Sequence, residues 1–417
     1  MRIQMIAVGS TGDVQPMIVL GKELAHRGHT VCITAFSALQ PLVESAGLLF
    51  NPLPGDAAQY IGSIIQPGAN PFTYLSRLEK CLQSVAGPFF EGMYTACLGM
   101  DAVVATFFGT TIYSIAEKLN IPLFQTSYCL TDTTGEHCLP IMKQPPLGRG
   151  FNRMTYKLAY QMIGMVEKRY VSRFSAENGI PVRNMAGGPN YQIRGNTVQV
   201  LYAFSGKIVK RPPEWPENLR ITGFWEDISP DFVPGDSLRA FLQNGEVPIY
   251  IGFGSMTSGD MGKALSTVLD ALSRTGMRAL ISSGWGGMDA ASLPDNVCVV
   301  QEYVPHDWLF QQVRAVVHHG GAGTTAAGLR AGKPSLAVPF GSDQYFWGDR
   351  IHELGCGPMS LPRTKLTANR LADALIDLVS TPAYVSNAHR IQQQLLTENG
   401  PAAAADIIET HIAGWKK

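Results

Sequence analysis

The sequence has little that would place it among charged, disulfide-rich or membrane-spanning proteins. Lys plus Arg and Asp plus Glu both number 33 among 417 residues, so the formal net charge is zero and no overall attraction to nucleic acid is expected. No apolar run approaches the ~18 residues of a spanning helix, and the N-terminal run 3–8 is too short for a signal peptide. These absences predict a soluble, cytoplasmic protein.

Cysteine is also sparse and unpaired in spacing. Seven cysteines are scattered along the chain, and none forms a Cys-x-x-Cys pair. An odd, dispersed set fits buried thiols in a reducing compartment better than disulfides or zinc.

The chain is long enough for two domains with cores of their own, and strand and helix patterns alternate in both halves. The sequence therefore predicts an α/β protein with parallel sheets.

The most informative stretch is 299–350. An apolar run at 315–317 is followed by the glycine-rich turn 318–323, and a helix is predicted to open at Thr324 and to end near Gly332. Glycines let a backbone approach a ligand, and the first N–H groups of a helix are unpaired, so such turns bind anions, most often phosphate. The lysine of a Walker loop and the dinucleotide fingerprint are both absent. Taken alone, a tight turn without a ligand explains these glycines equally well.

Other polar residues of this stretch are expected near the turn. His319 lies at its mouth, and Asp343 and Gln344 follow the next predicted strand, 335–338. In open α/β sheets ligands lie outside the carboxyl ends of the strands, so these groups should gather at one edge. A diphosphate on the turn and a polyol against the acid–amide pair would suit that edge. Together they describe a nucleotide-sugar.

This stretch resembles the donor-binding signature of the UDP-dependent glycosyltransferases with the GT-B fold, in which two Rossmann-like domains face each other across a cleft. The likeness is to the sterol glucosyltransferases and to bacterial or fungal natural-product glycosyltransferases. The residues that carry it are Val304-Pro305-His306, His319-Gly320-Gly321, Gly323-Thr324-Thr325, Gly332-Lys333-Pro334, Pro339 and Asp343-Gln344.

The resemblance implies a role for each residue on the donor side. In the family, the backbone of the residue before the first matching proline contacts the base, and position 327 is Ala where plant relatives have a ribose-binding Glu, so UDP is not secured over TDP. The Gly254-Ser255 turn is interpreted as a phosphate-binding loop, and the alternative interpretation is an ordinary strand-to-helix connection without a ligand. The implied ligands are Ser255, His319, Gly321, Gly323 and Thr324 for the diphosphate, Trp285, Tyr303 and Val304 for the base, and Asp343 and Gln344 for the sugar.

In the first half, the octet 9–16, GSTGDVQP, follows the first predicted strand and precedes a helix predicted at 17–27. From its position shortly before the helix, Asp13 is predicted to be the N-cap. The octet also resembles the Gly-x-x-Gly-Asp-Val-x-Pro loop of sterol and glycopeptide glycosyltransferases, which implies that Asp13 is the catalytic base. Thr11 stands where sterol enzymes often have Arg, so the loop by itself does not indicate a sterol acceptor.

Two other segments of the first half have two interpretations each. The polar loop 127–140 is interpreted as lining the acceptor site, with a metal site as the less favoured alternative. The segment 149–178 predicts an amphipathic helix that packs on the core with a solvated basic face, the alternative being an acceptor-binding or membrane-surface helix. The aromatic and Met-rich ranges 72–98 and 140–175 are the best candidates to line an apolar acceptor pocket.

The resemblance also sets the expected organisation. An acceptor-binding domain at 1–205, a linker at 206–235 with three prolines within 212–216, a nucleotide-sugar-binding domain at 236–390 and a returning C-terminal helix at 391–417 are predicted.

The expected activity is inverting transfer of a hexose, glucose from UDP-glucose, to a hydroxyl of a sterol, terpenoid, polyketide or other lipophilic natural product. No metal or other cofactor is expected, and peripheral membrane contact stays open. The alternatives are a GT-B-fold epimerase or hydrolase, and a non-catalytic nucleotide-sugar-binding partner of another enzyme.

Overall fold

The chain forms two parallel sheets, one in each half. The computed structural model describes residues 1–55, 86–106, 111–181, 188–189, 191–227, 232–253, 261–282, 293–300 and 304–416. The strands are β1 Arg2–Ile6, β2 Thr30–Phe36, β3 Leu49–Leu53, β4 Ala102–Thr106, β5 Leu123–Ser127, β6 Gln192–Ile193, β7 Asn196–Thr197, β8 Gln199–Tyr202, β9 Leu219–Ile221, β10 Ile249–Gly252, β11 Ala279–Ser282, β12 Val297–Val300, β13 Val316–His318 and β14 Ser335–Ala337.

Helices cover both sheets. They are α1 Thr11–His26, α2 Gln40–Ser45, α3 Thr111–Leu119, α4 Gly148–Asn178, α5 Asp236–Gln243, α6 Met261–Thr275, α7 His306–Leu309, α8 Ala322–Arg330, α9 Gln344–Glu353, α10 Ala368–Ser380, α11 Pro382–Leu395 and α12 Gly400–Ala413. Residues 86–97 are also helical. Among the described helices, none combines the length and the apolar character that crossing a membrane requires.

Both sheets are doubly wound. The first has the order β3-β2-β1-β4-β5-β8-β9 and the second β12-β11-β10-β13-β14, and every neighbouring pair of strands is parallel. Central strands such as β4, Ala-Val-Val-Ala-Thr, are buried throughout because helices cover both faces of a parallel sheet. The predicted α/β class with two parallel sheets is confirmed. Strand order reverses beside β1 and beside β10, and ligands bind at the carboxyl ends of such strands.

The segment predicted as a linker contributes to the first sheet. Strand β9 lies within 206–235 and pairs in parallel with β8. The proline-rich stretch ends at Pro216, after which the chain can donate backbone hydrogen bonds again, and Leu219 is buried. Trp215, inside that stretch, stacks on Tyr202 with ring centroids 4.5 Å apart. The segment is therefore packed against the first half.

One hydrophobic core joins the two halves. It includes Tyr202 and Phe204 from the first half and Trp347 and Leu395 from the second. The rings of Phe204 and Trp347 meet edge to face at 6.1 Å. Because Trp347 is fully buried, the packing of this core fixes the start of α9 against the first sheet.

The last helix returns to the first half. Helix α12 shares a core with α1, and Arg27 at the end of α1 pairs with Asp406 at 2.6 Å and with Glu409 at 2.9 Å. The turn into α12 packs on the segment after β9, where a Cβ added to Gly400 would lie 2.3 Å from the carbonyl oxygen of Phe224. Glycine is required there by this close approach.

Candidate active site

The turn after β1 places Asp13 in the first turn of α1. Helix α1 begins at Thr11 with Ser10 as its N-cap, because the Ser10 hydroxyl accepts a hydrogen bond from the Gly12 N–H at 3.3 Å. Asp13 Oδ2 accepts hydrogen bonds from the N–H of Ser10 at 2.7 Å and from its Oγ at 3.1 Å, which completes a capping box. Asp13 is therefore the third helical residue and not the N-cap, and 11–16, expected as a loop, are helical.

The same turn changes the acidity of Asp13. Its side chain is half-buried, and burial raises the pKa of its carboxyl group although the bonds from Ser10 lower it. A Cβ at Gly9, whose φ is +152°, would lie 2.1 Å from Asp13 Oδ2, so only glycine leaves room for the carboxyl group. Among the described residues, the side-chain hydrogen bonds of Asp13 all reach Oδ2. Oδ1 accepts none of these hydrogen bonds.

Two residues that sequence reasoning missed lie beside Asp13. The Tyr128 hydroxyl donates a hydrogen bond to the backbone oxygen of Asp13 at 2.8 Å. Burial raises the pKa of the Cys129 thiol well above its ordinary value, and the charges of Asp343 and Asp13 raise it further. Both residues follow β5, two strands from β1 in the same parallel sheet. That shared carboxyl edge was the signal that could have found them.

Acids from the two halves lie within electrostatic reach of each other. Burial raises the pKa of Asp343 to about 6, and the negative charge of Asp13 is the second cause. Asp13 follows the first sheet's β1, whereas Asp343 follows β14 of the second sheet. The cleft between the two carboxyl edges therefore holds two interacting carboxyl groups, one from each half.

The core between the halves orients Asp343. Trp347 Nε1, one helical turn further on, donates a hydrogen bond to Asp343 Oδ2 at 3.2 Å. Since the Trp347 ring is held by Phe204 and Phe224, this bond ties the carboxyl group to the packing of the two halves. Trp347 is a positioning residue that was not predicted.

Gln344 has a structural task beside its predicted one. Its side chain is buried, and Oε1 accepts hydrogen bonds from the N–H groups of Phe340 at 2.7 Å and Gly341 at 3.3 Å. Its backbone oxygen would lie 2.7 Å from a Cβ at Gly320, whose φ is +90°. Gln344 thus holds the loop after β14 against the glycine turn, and sugar binding by its amide stays a prediction.

His319 packs directly on the glycine turn. A Cβ at Gly321 would lie 2.4 Å from His319 Nε2, so the imidazole occupies the space of the missing side chain. His319 Nδ1 is buried and lacks a hydrogen-bond partner among the described residues. Burial, followed by the charge of His306, lowers the pKa of His319 to about 4. At neutral pH the ring is uncharged, and it offers a hydrogen bond instead of the positive charge expected of an imidazolium.

The N-terminus of α8 is open. The helix begins at Ala322, two residues before the predicted start, with Gly321 as an N-cap that supplies no side-chain hydrogen bond. Its backbone oxygen accepts the first intrahelical bond, from the Thr325 N–H, at 3.0 Å. The N–H groups of Gly323 and Thr324 therefore have no intrahelical acceptor. A Cβ at Gly323 would meet nothing within 4 Å, so nothing described in the protein requires glycine there.

The predicted base-binding residues are only partly described. Val304 is buried and precedes Pro305, the N-cap of α7. His306 stacks on Phe310 at 4.7 Å, and burial lowers the pKa of His306 to about 4. Ser255, Trp285 and Tyr303 lie outside the described residues.

The loop 127–140 is anchored by tyrosines. Asp132 is buried, accepts a hydrogen bond from the Tyr202 hydroxyl at 2.5 Å, and has a pKa that burial raises to about 7. The Tyr160 hydroxyl donates to the Thr131 backbone oxygen at 2.6 Å. Over the part of the chain that the structure describes, no group of three or more His, Cys, Asp or Glu side chains could hold a metal ion. Asp132 is therefore a structural anchor of this loop.

Fold and site together define a two-domain, nucleotide-sugar-dependent transferase of the GT-B class. Residues 3–131 match the family described as glycosyltransferase family 28 N-terminal domain, and residues 266–410 match the erythromycin biosynthesis protein CIII-like C-terminal domain. Sterol 3-beta-glucosyltransferase UGT80B1 of Arabidopsis thaliana is 31% identical over 99% of this chain and 68% of its own length. The chain belongs to the glycosyltransferase family that includes the sterol 3-beta-glucosyltransferases.

The relatives differ in length. The sterol 3-beta-glucosyltransferase of Aspergillus terreus is 30% identical over 98% of this chain but only 30% of its own length. The chain thus spans about two thirds of the plant relatives and less than a third of the fungal one.

Solved structures show the same fold. The glycotransferase of kitacinnamycin matches with a TM-score of 0.70 and 17% identity, covering 99% of both chains. The glycosyltransferase VinC in complex with DTDP matches with a TM-score of 0.66 and 18% identity, covering 99% of this chain and 100% of that one. The predicted family, GT-B fold and glycosyltransferase class are confirmed. The roles of individual residues and the domain boundaries stay predictions.

Proposed function

We propose that the protein is an inverting glycosyltransferase that moves glucose from UDP-glucose to the hydroxyl group of a sterol or similar lipophilic alcohol. The observation that carries this proposal is the placement of Asp13 after β1 and of Asp343 after β14, which puts an acid from the carboxyl edge of each sheet within electrostatic reach of the other. The similarity of the chain to sterol 3-beta-glucosyltransferases supports the sugar and the acceptor class.

Asp13 is proposed as the base. The acceptor hydroxyl would approach Oδ1, since Oδ2 is held by Ser10. A carboxyl group whose pKa is raised by burial is a stronger base than an exposed one. The deprotonated oxygen attacks the anomeric carbon from the face opposite the diphosphate. A single displacement inverts the configuration.

The glycine turn is proposed to bind the departing diphosphate. The unpaired N–H groups at the start of α8 and the partial positive charge of that helix end suit a phosphate oxygen. The open space beside Gly323 gives the ligand room to approach the backbone. His319 adds a neutral hydrogen-bond donor whose pKa rises once an anion binds beside it. These groups meet the charge that develops on UDP, so we propose a mechanism without a metal ion.

Asp343 is proposed to bind the sugar hydroxyls. Trp347 Nε1 holds Asp343 Oδ2, which fixes the orientation of the carboxyl group at the start of α9. Val304 would contact the base through its backbone. Ala327 offers the ribose no carboxylate, so the choice of UDP over TDP rests on the resemblance to the UDP-dependent glycosyltransferases.

The test is transfer itself. The protein is incubated with UDP-glucose and a mixture of sterols, terpenoids and polyketide alcohols, and products are detected by mass spectrometry. A glucosylated alcohol with inverted anomeric configuration supports the proposal. Free glucose or an epimerised nucleotide-sugar would indicate a hydrolase or an epimerase, and UDP-glucose binding without turnover over the whole panel would indicate a non-catalytic partner.

A further inference from the structure

Exposed apolar side chains are concentrated on one helix of the first half. In and next to α4, Leu147 is 62% exposed, Met154 45%, Leu158 48% and Met165 68%. Their spacing of seven, four and seven residues places them on one helix face. We name these four residues the α4 stripe. Ile141 and Met142, just before the helix, are also exposed.

The concentration is unusual for this protein. Of the 15 large apolar side chains that are exposed in the described chain, six lie within residues 141–165. Single exposed apolar residues are normal, but a contiguous group of them marks an interaction surface. The opposite face of α4 packs inward through Tyr156 and Tyr160, so the stripe is not the core face of the helix.

Positive charge accompanies the stripe. Residues 138–166 contain no Asp or Glu, but they contain four basic residues, Lys143, Arg149, Arg153 and Lys157. The two arginines pair with Glu136 and Glu214 of neighbouring segments. Both lysines are exposed, and within the described residues neither forms an ion pair, although the charge of Lys143 lowers the pKa of Asp349 against the effect of burial. The surface around the stripe is therefore apolar with exposed cations.

We propose that the α4 stripe docks on an anionic lipid bilayer. A helix with one apolar face and flanking lysines lies in the membrane interface, where the apolar side chains are buried and the cations meet lipid phosphates. The proposal rests on the proposed function, because a sterol-like acceptor is dissolved in bilayers. Sequence patterns favoured core packing of 149–178 over a membrane-surface helix. With this proposal both interpretations hold, because one face of α4 packs on the core and the opposite face contacts the membrane.

The contacts of α4 explain why docking there would serve catalysis. Thr155 Oγ1 accepts a hydrogen bond from the Leu139 N–H at 2.8 Å, and Tyr160 bonds to the Thr131 backbone oxygen. The loop 127–140 thus runs from the Asp13 side of the cleft to α4. A bilayer on the stripe lies next to the segment expected to admit the acceptor.

The experiment is co-sedimentation of the full chain with vesicles. The probes are phosphatidylcholine vesicles with and without phosphatidylglycerol. The variant Met154→Gln/Leu158→Gln/Met165→Gln removes the stripe at solvent-facing positions, and Lys143→Gln/Lys157→Gln removes the charge. The matched control, Met359→Gln/Ile376→Gln/Val385→Gln, replaces three exposed apolar residues of the second half, which are 64%, 50% and 39% exposed.

Wild type should bind the anionic vesicles, and each α4 variant should bind roughly tenfold more weakly, because apolar burial and lysine–phosphate attraction are separate contributions. The control should bind like wild type. Absence of wild-type binding, or an equal loss in the control, would overturn the proposal. So would a concentration-dependent dimer without lipid that the stripe variant abolishes, since the stripe would then be an interface between copies of this chain.

A second assay separates this proposal from the proposed function. Transfer to a sterol in anionic vesicles is compared with transfer to the same sterol solubilised in detergent. The stripe variant should lower the ratio of the two rates about tenfold. An unchanged ratio contradicts docking by the stripe, whereas no transfer in either format contradicts the proposed function and leaves the sedimentation result to decide on docking.

Discussion

The two sides of the cleft are built over different distances along the chain. On the second-sheet side, His319 packs on Gly321 and Gln344 holds Phe340, so the contacts join near neighbours in sequence. On the first-sheet side, Asp13 is bonded by Tyr128, 115 residues away, and Asp132 is bonded by Tyr202, 70 residues away. A diphosphate is recognised by backbone groups, which a short motif can supply. A base must be tuned by its surroundings, which only tertiary packing supplies.

The largest expected effect tests the first-sheet side alone. Asp13→Asn keeps an oxygen that can accept the Ser10 hydrogen bonds but cannot take a proton, so kcat should fall about 10²–10⁴-fold. UDP affinity, measured by calorimetry, should stay within a few-fold. The control Ser10→Ala weakens the capping box, costs about 1 kcal/mol of stability and keeps the base. If Asp13→Asn kept a kcat close to that of the wild type, Asp13 would not be the catalytic base.

The next effect tests the second-sheet side alone. His319→Ala should weaken UDP binding by roughly 10–100-fold, the value of a hydrogen bond to a charged group. The loss should appear in titrations without acceptor or sugar. If UDP bound equally well to the variant and to the wild type, His319 Nδ1 would not be a phosphate ligand.

Gly323 separates ligand binding from folding. Gly323→Ala should raise the free energy of unfolding by about 0.5–1 kcal/mol, because the site is helical and the added methyl has space. The same methyl should weaken UDP binding roughly tenfold if the diphosphate approaches here. Gly150→Ala, at a similarly open position near the start of α4, should gain stability with no change in UDP affinity. If both variants left UDP affinity unchanged, the diphosphate would not bind beside Gly323.

A titration tests whether the two sides act on each other. Asp13 is a base only when ionised, so its raised pKa should place the acid limb of kcat/KM at higher pH than an ordinary aspartate would. Asp13→Asn removes a negative neighbour of Asp343, so the pKa of Asp343 should fall below about 6. Titration of the Asp343 carboxyl group, followed by NMR in the wild type and in Asp13→Asn, should therefore move to lower pH in the variant. An unmoved titration would show that the two carboxyl groups do not interact in solution.

The smallest effect concerns the core between the halves. Trp347→Phe removes the Nε1 hydrogen bond to Asp343 but keeps an aromatic ring among Phe204 and Phe224. A hydrogen bond to a charged group contributes about 1.5–3 kcal/mol, and solvent in the cleft offsets part of it, so the KM for the donor should rise several-fold. UDP, which lacks the sugar, should bind unchanged. An equal loss for UDP would mean that the substitution disturbs the whole loop.

The sequence by itself was sufficient for the two-sheet α/β architecture and the glycine turn at 318–323, whereas Asp13 was singled out by the resemblance of 9–16 to a known loop, and its role stays a prediction. Parallel strands are continuous apolar runs, and anion sites at helix ends need only glycines at the right spacing, so both are encoded locally. Helix starts were less predictable, because Ser10 caps α1 through its hydroxyl group whereas Gly321 caps α8 through backbone geometry alone, and residue types only suggest which residue will be the cap.

Only the tertiary structure decided which groups tune the site. Burial of His319 makes it neutral, Trp347 ties Asp343 to the core between the halves, and Tyr128 and Cys129 join Asp13 from another strand. Burial and charge interactions depend on which side chains meet in space, over separations that no local pattern records. The exposed face of α4 was decided in the same way, since its Met and Leu residues look identical in sequence whether they face the core or solvent.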